Sequence, residues 1–380
     1  MNLTQNIPRK TPSEIKLRFL SQEEKTLETK EEKLPLVVEP TAENSFLALR
    51  HLIGKYQGWF EQQLHHYGAI LFRNFQVETA PEFQAILEEF GVALASNYHF
   101  GSAMRERLTE KVFTASSGPS EMIISPHNEL NFVPVRPKMI AFFCEVEPEQ
   151  YGETPLINTE KLFYDLPLEL QEKFLNLPQQ FRRYVPSNLL EMVFEGLTED
   201  EITQMLQEQG FDFSWNEDGS LYFECSYTPL FNHPQTNRIC LCLSIFNCLV
   251  NREWYGKIRS RYPFLQGLYN RFFPRSWYKL VEQNRSKVTN TFDKSKPKGS
   301  IDMNFLSTDG QRIDLTDGEA EELGKAQCRN AVIFRWQQGD VLIVDNQAVA
   351  HGRLNKKLPR KVQTAFGNMY NIHNMKSATI

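Results

Sequence analysis

Apolar residues along this chain fall into two rhythms, and the change from one to the other marks its elements. Phe46, Leu49, Leu52 and Ile53 recur at the spacing that lines one face of a helix, and Phe83, Ile86, Leu87 and Phe90 repeat it. Both stripes predict helices packed on a sheet. Two unbroken apolar runs, Met139-Ile140-Ala141-Phe142-Phe143-Cys144 and Val341-Leu342-Ile343-Val344, instead predict strands buried on both faces. Further strands are expected over residues 34–39, 68–75 and 360–366, with a turn at Gly339-Asp340. Asn216-Glu217-Asp218-Gly219, flanked by Trp215 and by Leu221 to Phe223, predicts a hairpin.

Against this pattern the segment Ser125-Pro126-His127-Asn128-Glu129 stands out for its chemistry. Alternation along a strand would put His127 and Glu129 on one side and Asn128 on the other. A His-x-Glu by itself is an ordinary solvated strand motif. It gains weight from the far end of the chain, where Asp345-Asn346 closes a buried strand and His351-Gly352-Arg353 follows. Two imidazoles and one carboxylate form the facial ligand set that holds Fe(II) and leaves positions open for oxygen chemistry, which points to an oxygenase. Nine residues beyond His351, Arg360 is placed to grip a dicarboxylate co-substrate through a bidentate fork that lysine does not offer.

On these residues the chain resembles the TauD/TfdA family of Fe(II)/2-oxoglutarate-dependent dioxygenases. The His-Asn-Glu and His-Gly-Arg forms are most similar to the branch that includes clavaminate synthase and the syringomycin-pathway aspartyl hydroxylase. Leu34-Pro35-Leu36-Val37-Val38-Glu39-Pro40 and Gly68-Ala69-Ile70-Leu71-Phe72-Arg73-Asn74-Phe75 are similar to the family's first two strands, and His233-Pro234 to a His-Pro segment to which we give a structural role. Tyr151-Gly152-Glu153-Thr154 resembles its Gly-Gly-x-Thr segment. The resemblance implies that His127, Glu129 and His351 are the metal ligands and catalytic centre, and that Thr154 joins Arg360 in binding the distal carboxylate of 2-oxoglutarate. It also implies a mainly β fold with flanking helices, a double-stranded β-helix of the jelly-roll, cupin-like type. The implied reaction consumes O2 and 2-oxoglutarate, releases succinate and CO2, and hydroxylates an amino acid or amino-acid-derived small molecule, with desaturation or cyclisation as variants. Retention of Glu129 favours hydroxylation over halogenation. Two positions depart from the pattern: Tyr151 replaces the first Gly, and Thr364 stands where many relatives carry a second Arg, which leans toward a neutral or carrier-protein-bound substrate.

Composition sets the remaining bounds. With 380 residues, 41% of them hydrophobic, the chain can bury a large core. We read a charged arm at 1–33 and one elaborated domain at 34–380, whose insert at 160–330 is expected to be a substrate lid or an oligomer face. The stretch 252–285, rich in Trp, Tyr, Phe and Arg, would be the part that meets an acidic carrier. A net charge of −5 without a clustered basic face argues against nucleic acid as partner. The six cysteines show no zinc spacing and read as reduced core residues of a cytoplasmic protein. No apolar leader precedes the charged run at 23–33, and no stretch is long enough to span a membrane. Two other classes use the same ligands: a metal-binding barrel without oxygenase activity, and a zinc hydrolase. Neither needs a dicarboxylate clamp.

Overall fold

The computed structural model describes residues 11–101, 105–115, 123–242, 248–261 and 301–378. In chain order the strands are β1 (Ile15–Arg18), β2 (Leu36–Pro40), β3 (Ala69–Phe72), β4 (Phe113–Thr114), β5 (Ile124–His127), β6 (Val135–Val146), β7 (Leu156–Asn158), β8 (Gln179–Val185), β9 (Asp212–Trp215), β10 (Leu221–Tyr227), β11 (Leu230–Asn232), β12 (Ile239–Leu241), β13 (Ile301–Leu306), β14 (Arg312–Ile313), β15 (Val341–Asp345), β16 (Val349–Arg353) and β17 (Lys361–Asn371). A seven-stranded sheet runs β1-β2-β3-β15-β6-β17-β4, and a three-stranded sheet runs β5-β16-β7. These are the two walls of the jelly roll.

Strands β15 and β6 lie inside the larger sheet, which explains their continuous apolar sequence. Alternate side chains serve two different cores. Ile70, Phe72, Phe143 and Ile343 face the helices Phe46–Lys55, Gln57–Tyr67 and Ala80–Glu89, meeting Leu49, Ile53, Phe60, Phe83 and Ile86. Leu71, Ile140, Phe142, Leu342 and Val344 face the other way, toward Leu156 and Val349 of the smaller sheet. The first helix is capped by Ser45, whose hydroxyl accepts the Ala48 N–H, and the third by a reciprocal Thr79–Glu82 box. The helical stripes and buried strands read from sequence are therefore core.

Part of the N-terminal arm lies against this sheet. Ile15–Arg18 pairs antiparallel with β2, and the charges that follow are used internally: Glu24 bonds Arg18 and Arg73, while buried Arg73 also pairs with buried Asp340 at 2.6 Å. The insert builds its own five-stranded sheet, β14-β13-β8-β10-β9, around a third core that includes Phe100, Phe181, Phe194, Phe211 and Phe223. Its β9–β10 hairpin has Trp215 opposite Leu221, as the turn residues predict. Most of the aromatic and basic stretch at 252–285 lies outside the described residues. Cys144, Cys225, Cys240, Cys242 and Cys328 are buried and free. Among the described residues no helix is long and apolar enough to cross a membrane.

Candidate metal centre

The two histidines meet across one strand pair. β16 runs antiparallel to β5 with His351 directly opposite His127, and on its other side it pairs with β7. The close approach depends on Gly352, where a Cβ would fall 2.5 Å from the Ile124 carbonyl oxygen and 3.0 Å from the Pro126 nitrogen. Both obstacles are backbone, so no side chain fits there. The imidazole centroids are 4.7 Å apart. His127 Nδ1 lies 2.9 Å from the Ser125 carbonyl, which assigns the proton to Nδ1 and leaves Nε2 as a lone-pair donor.

Glu129 arrives by a different route from the one strand alternation suggests. β5 ends at His127, and Glu129 lies in the turn beyond it, just before Leu130 at a φ of +52°. Its carboxylate is aimed by Asn346, which grips the Glu129 backbone through both the N–H and the carbonyl. Glu129 Oε2 then lies 3.4 Å from His351 Nε2 and 3.9 Å from His127 Nε2. The three donor atoms are within 4.8 Å of one another, a spacing that suits one small ion.

Electrostatics prepare the same chemistry. Glu129 Oε1 accepts from the Tyr98 hydroxyl at 2.5 Å and from Arg105 Nη2 at 3.0 Å. Burial alone would raise the Glu129 carboxyl, but Arg105, His351 and His127 hold it well below the usual carboxylate range. Burial and the neighbouring His351 push the His127 imidazole down to about 4. At neutral pH the centre thus offers a neutral imidazole and an anionic carboxylate, the protonation states a hard cation needs.

Thr154 and Arg360 line the same cavity of about 130 Å³ as His127, Glu129 and His351. Arg360 Nε donates to the Gly152 carbonyl at 2.8 Å. Gly152 has φ +76°, and a Cβ there would lie 2.8 Å from Arg360 Cδ, so glycine is needed for both conformation and space. Tyr151 adopts φ +63°, which keeps the tight turn even though the family's first Gly is missing. Thr154 Oγ1 accepts from Trp336 Nε1 at 3.2 Å, leaving the hydroxyl proton free to be donated. Among the described residues no carboxylate forms an ion pair with Arg360, and the adjacent Glu153 is taken by Arg261 at 2.7 Å. Burial and the nearby Arg353 push the Arg360 guanidinium down to about 10, with Glu153 acting in the opposite direction.

A second cluster, His65, His233 and Asp345, has ligand-type side chains but is satisfied by hydrogen bonds. His233 Nδ1 accepts the backbone N–H groups of Gln235 and Thr236, so its Nε2 carries the proton and donates to Asp345 Oδ2 at 3.0 Å. His65 Nδ1 reaches the same oxygen at 2.9 Å. The network fixes Asp345 next to Asn346, in keeping with a structural role for His233. Tyr98, Arg105 and Trp336 carried no signal in the sequence. Asp345-Asn346 was visible only as a pair at a strand end.

Comparison with known proteins identifies the family. A clavaminate synthase-like protein of Arabidopsis thaliana is 26% identical over 316 residues, covering 80% of this chain and 82% of its own length. The dapdiamide synthesis protein DdaC of Enterobacter agglomerans is 23% identical over 311 residues, covering 80% and 83%. Among solved structures, PvcB of Pseudomonas aeruginosa superposes with a TM-score of 0.50 at 11% identity, over 97% of this chain and 98% of that one, a likeness of fold. The profile of the family described as taurine catabolism dioxygenase TauD, TfdA family matches residues 39–269 and 306–362. The chain belongs to that family, as a 2-oxoglutarate-dependent dioxygenase that uses Fe(II), 2-oxoglutarate and O2.

Proposed function

We propose that His127, Glu129 and His351 hold the Fe(II), that Arg360 and Thr154 grip the distal carboxylate of 2-oxoglutarate, and that the enzyme hydroxylates an amino acid or an amino-acid-derived small molecule. The observation that carries this reading is the half-buried Arg360, in one cavity with the ligand triad and without an acidic partner among the described residues. A dicarboxylate supplies what that guanidinium lacks, and Thr154 adds a hydroxyl donor already oriented by Trp336.

When bound, the metal supplies the oxygen chemistry that protein side chains cannot. The chain's own residues supply the rest. His127, His351 and ionised Glu129 would offer one donor atom each. Phe142, its ring tilted against that of His351 at a centroid distance of 5.1 Å, shields that side chain from water.

The names of the two relatives support a small-molecule substrate. Thr364 is fully buried and donates to the Ala141 carbonyl at 3.0 Å, so it offers no anchor for a free acid. That favours a neutral or carrier-bound substrate. Arg252 and Arg261 of the stretch proposed to meet a carrier are engaged internally, with Glu321 at 2.6 Å and with Glu153.

Two measurements test the reading. Anaerobic addition of Fe(II) and 2-oxoglutarate should raise a visible charge-transfer band, and folded protein without it would overturn the assignment of these residues. A competition assay between free amino acids and their carrier-bound thioesters, following succinate coupled to product, separates the substrate classes. Coupled turnover of a free amino acid with no gain from the carrier would reject the tethered substrate and leave the iron site standing.

A further inference from the structure

We propose that Tyr98 and Arg105 are positioning residues that restrict Glu129 to binding the metal through Oε2 alone. The inference rests on the ligand set proposed above. The two carboxylate oxygens have distinct surroundings: Oε2 faces His351 Nε2 and His127 Nε2, whereas Oε1 receives the Tyr98 hydroxyl at 2.5 Å and Arg105 Nη2 at 3.0 Å. Oε1 can reach the metal only by giving up both donors, one of them charged.

The clamp is itself held. Arg105 Nη2 also donates to the Tyr98 oxygen at 3.2 Å, so the phenol accepts from the guanidinium and donates to the carboxylate. The guanidinium lies 4.0 Å over the Tyr98 ring, and that ring packs edge-on against Phe366 of β17 at 5.5 Å. At the other end of Glu129 the backbone is gripped by Asn346. With the main chain and Oε1 both fixed, the carboxylate has little freedom to swing.

The consequence concerns open positions. A carboxylate bound through both oxygens takes one more coordination position, at the expense of those needed by 2-oxoglutarate and oxygen. Holding Oε1 aside keeps the facial set at three donor atoms. Neither residue needs to touch substrate for this.

The test uses the full chain with Tyr98→Phe, Arg105→Gln and Arg105→Lys. Anaerobic titration gives Fe(II) affinity, and the electron paramagnetic resonance signal of nitric oxide added to the saturated Fe(II)·2-oxoglutarate protein reads the position left open. Tyr98→Phe and Arg105→Gln should each weaken Fe(II) by about 10–100-fold. Each should also shrink the nitrosyl signal at saturating metal and raise succinate formed per product, while Arg105→Lys restores part of the signal. Wild-type affinity and a full nitrosyl signal in both Tyr98→Phe and Arg105→Gln would overturn the proposal. If Arg105→Gln does not fold, Tyr98→Phe, which keeps every apolar contact of the ring, decides alone. Failure of the ligand assignment is distinguishable, because Glu129→Ala would then leave Fe(II) affinity unchanged.

Discussion

The side-chain amide of Asn346 brackets the backbone of Glu129, with Oδ1 accepting its N–H at 2.7 Å and Nδ2 donating to its carbonyl at 3.1 Å. Nδ2 also donates to the Pro137 carbonyl at 2.8 Å, and Asn128 Nδ2 returns a bond to the Asn346 carbonyl at 2.6 Å. Asn346→Ala strands a buried N–H and should cost about 1–3 kcal/mol of stability as well as weakening Fe(II) binding. Asn346→Asp keeps the acceptor but loses the donor, and should disturb both carbonyls. Urea denaturation and anaerobic metal titration check this; a variant matching wild type in both would show that Glu129 is aimed by something else.

His127→Ala, Glu129→Ala and His351→Ala should each abolish hydroxylation, since each removes a proposed metal ligand. Retained coupled turnover in all three, with iron bound, would sink the assignment. Glu129→Asp should keep partial activity with weaker metal binding, because the shorter carboxylate draws back from Tyr98 and Arg105. Product assays together with metal analysis separate loss of iron from loss of geometry.

Arg360→Ala should raise the 2-oxoglutarate requirement by about 2–5 kcal/mol, the range for losing one partner of a buried charge pair. Gly152→Ala should act in the same direction while leaving the positive charge in place, because its Cβ would press on Arg360 Cδ and Nε in a backbone conformation that disfavours alanine. Isothermal titration with 2-oxoglutarate on the metal-loaded protein reads both. Unchanged affinity in Arg360→Ala would place the dicarboxylate grip elsewhere.

The metal-free protein should lose stability on acidification in a range set by His127. Burial and His351 lower its folded pKa from an ordinary 6.5 to about 4, so between those values the unfolded chain binds a proton that the folded chain refuses. Stability from this group is present above pH 6.5 and is lost as the pH falls toward 4. The urea midpoint followed from pH 7 downward should therefore fall, and His127→Gln should flatten the slope. An unaltered slope in that variant would assign the effect to another group.

Much of the site was legible because its chemistry is dense in residue type. His127, Glu129, His351, Arg360 and Thr154 are uncommon in combination, and the structure gathers them around one cavity. The reason offered for His127 and Glu129 sharing a side, alternation along one strand, does not hold, because the strand ends at His127. Glu129 depends on a turn and on an asparagine more than two hundred residues away, while His127 and His351 meet through the register of neighbouring strands. Tyr98 and Arg105 sit 31 and 24 residues before Glu129, with no spacing to announce them. The helical stripes and buried strands of the larger sheet were legible because period alone specifies a buried face. In the insert, the β8–β10–β13 pairing joins segments distant in sequence, which local pattern cannot reveal.

Gly352 sets the gauge of the whole centre by what it lacks. Because its nearest neighbours are the main-chain atoms of Ile124, Ser125 and Pro126, any side chain there would act as a wedge between the two strands that carry the imidazoles. The distance between His127 and His351 is thus fixed by the thickness of bare backbone, before any ligand or hydrogen bond contributes. Redesign of the cavity for other substrates has freedom along the walls that bear side chains, while the spacing of the two imidazoles is a dimension of the scaffold itself.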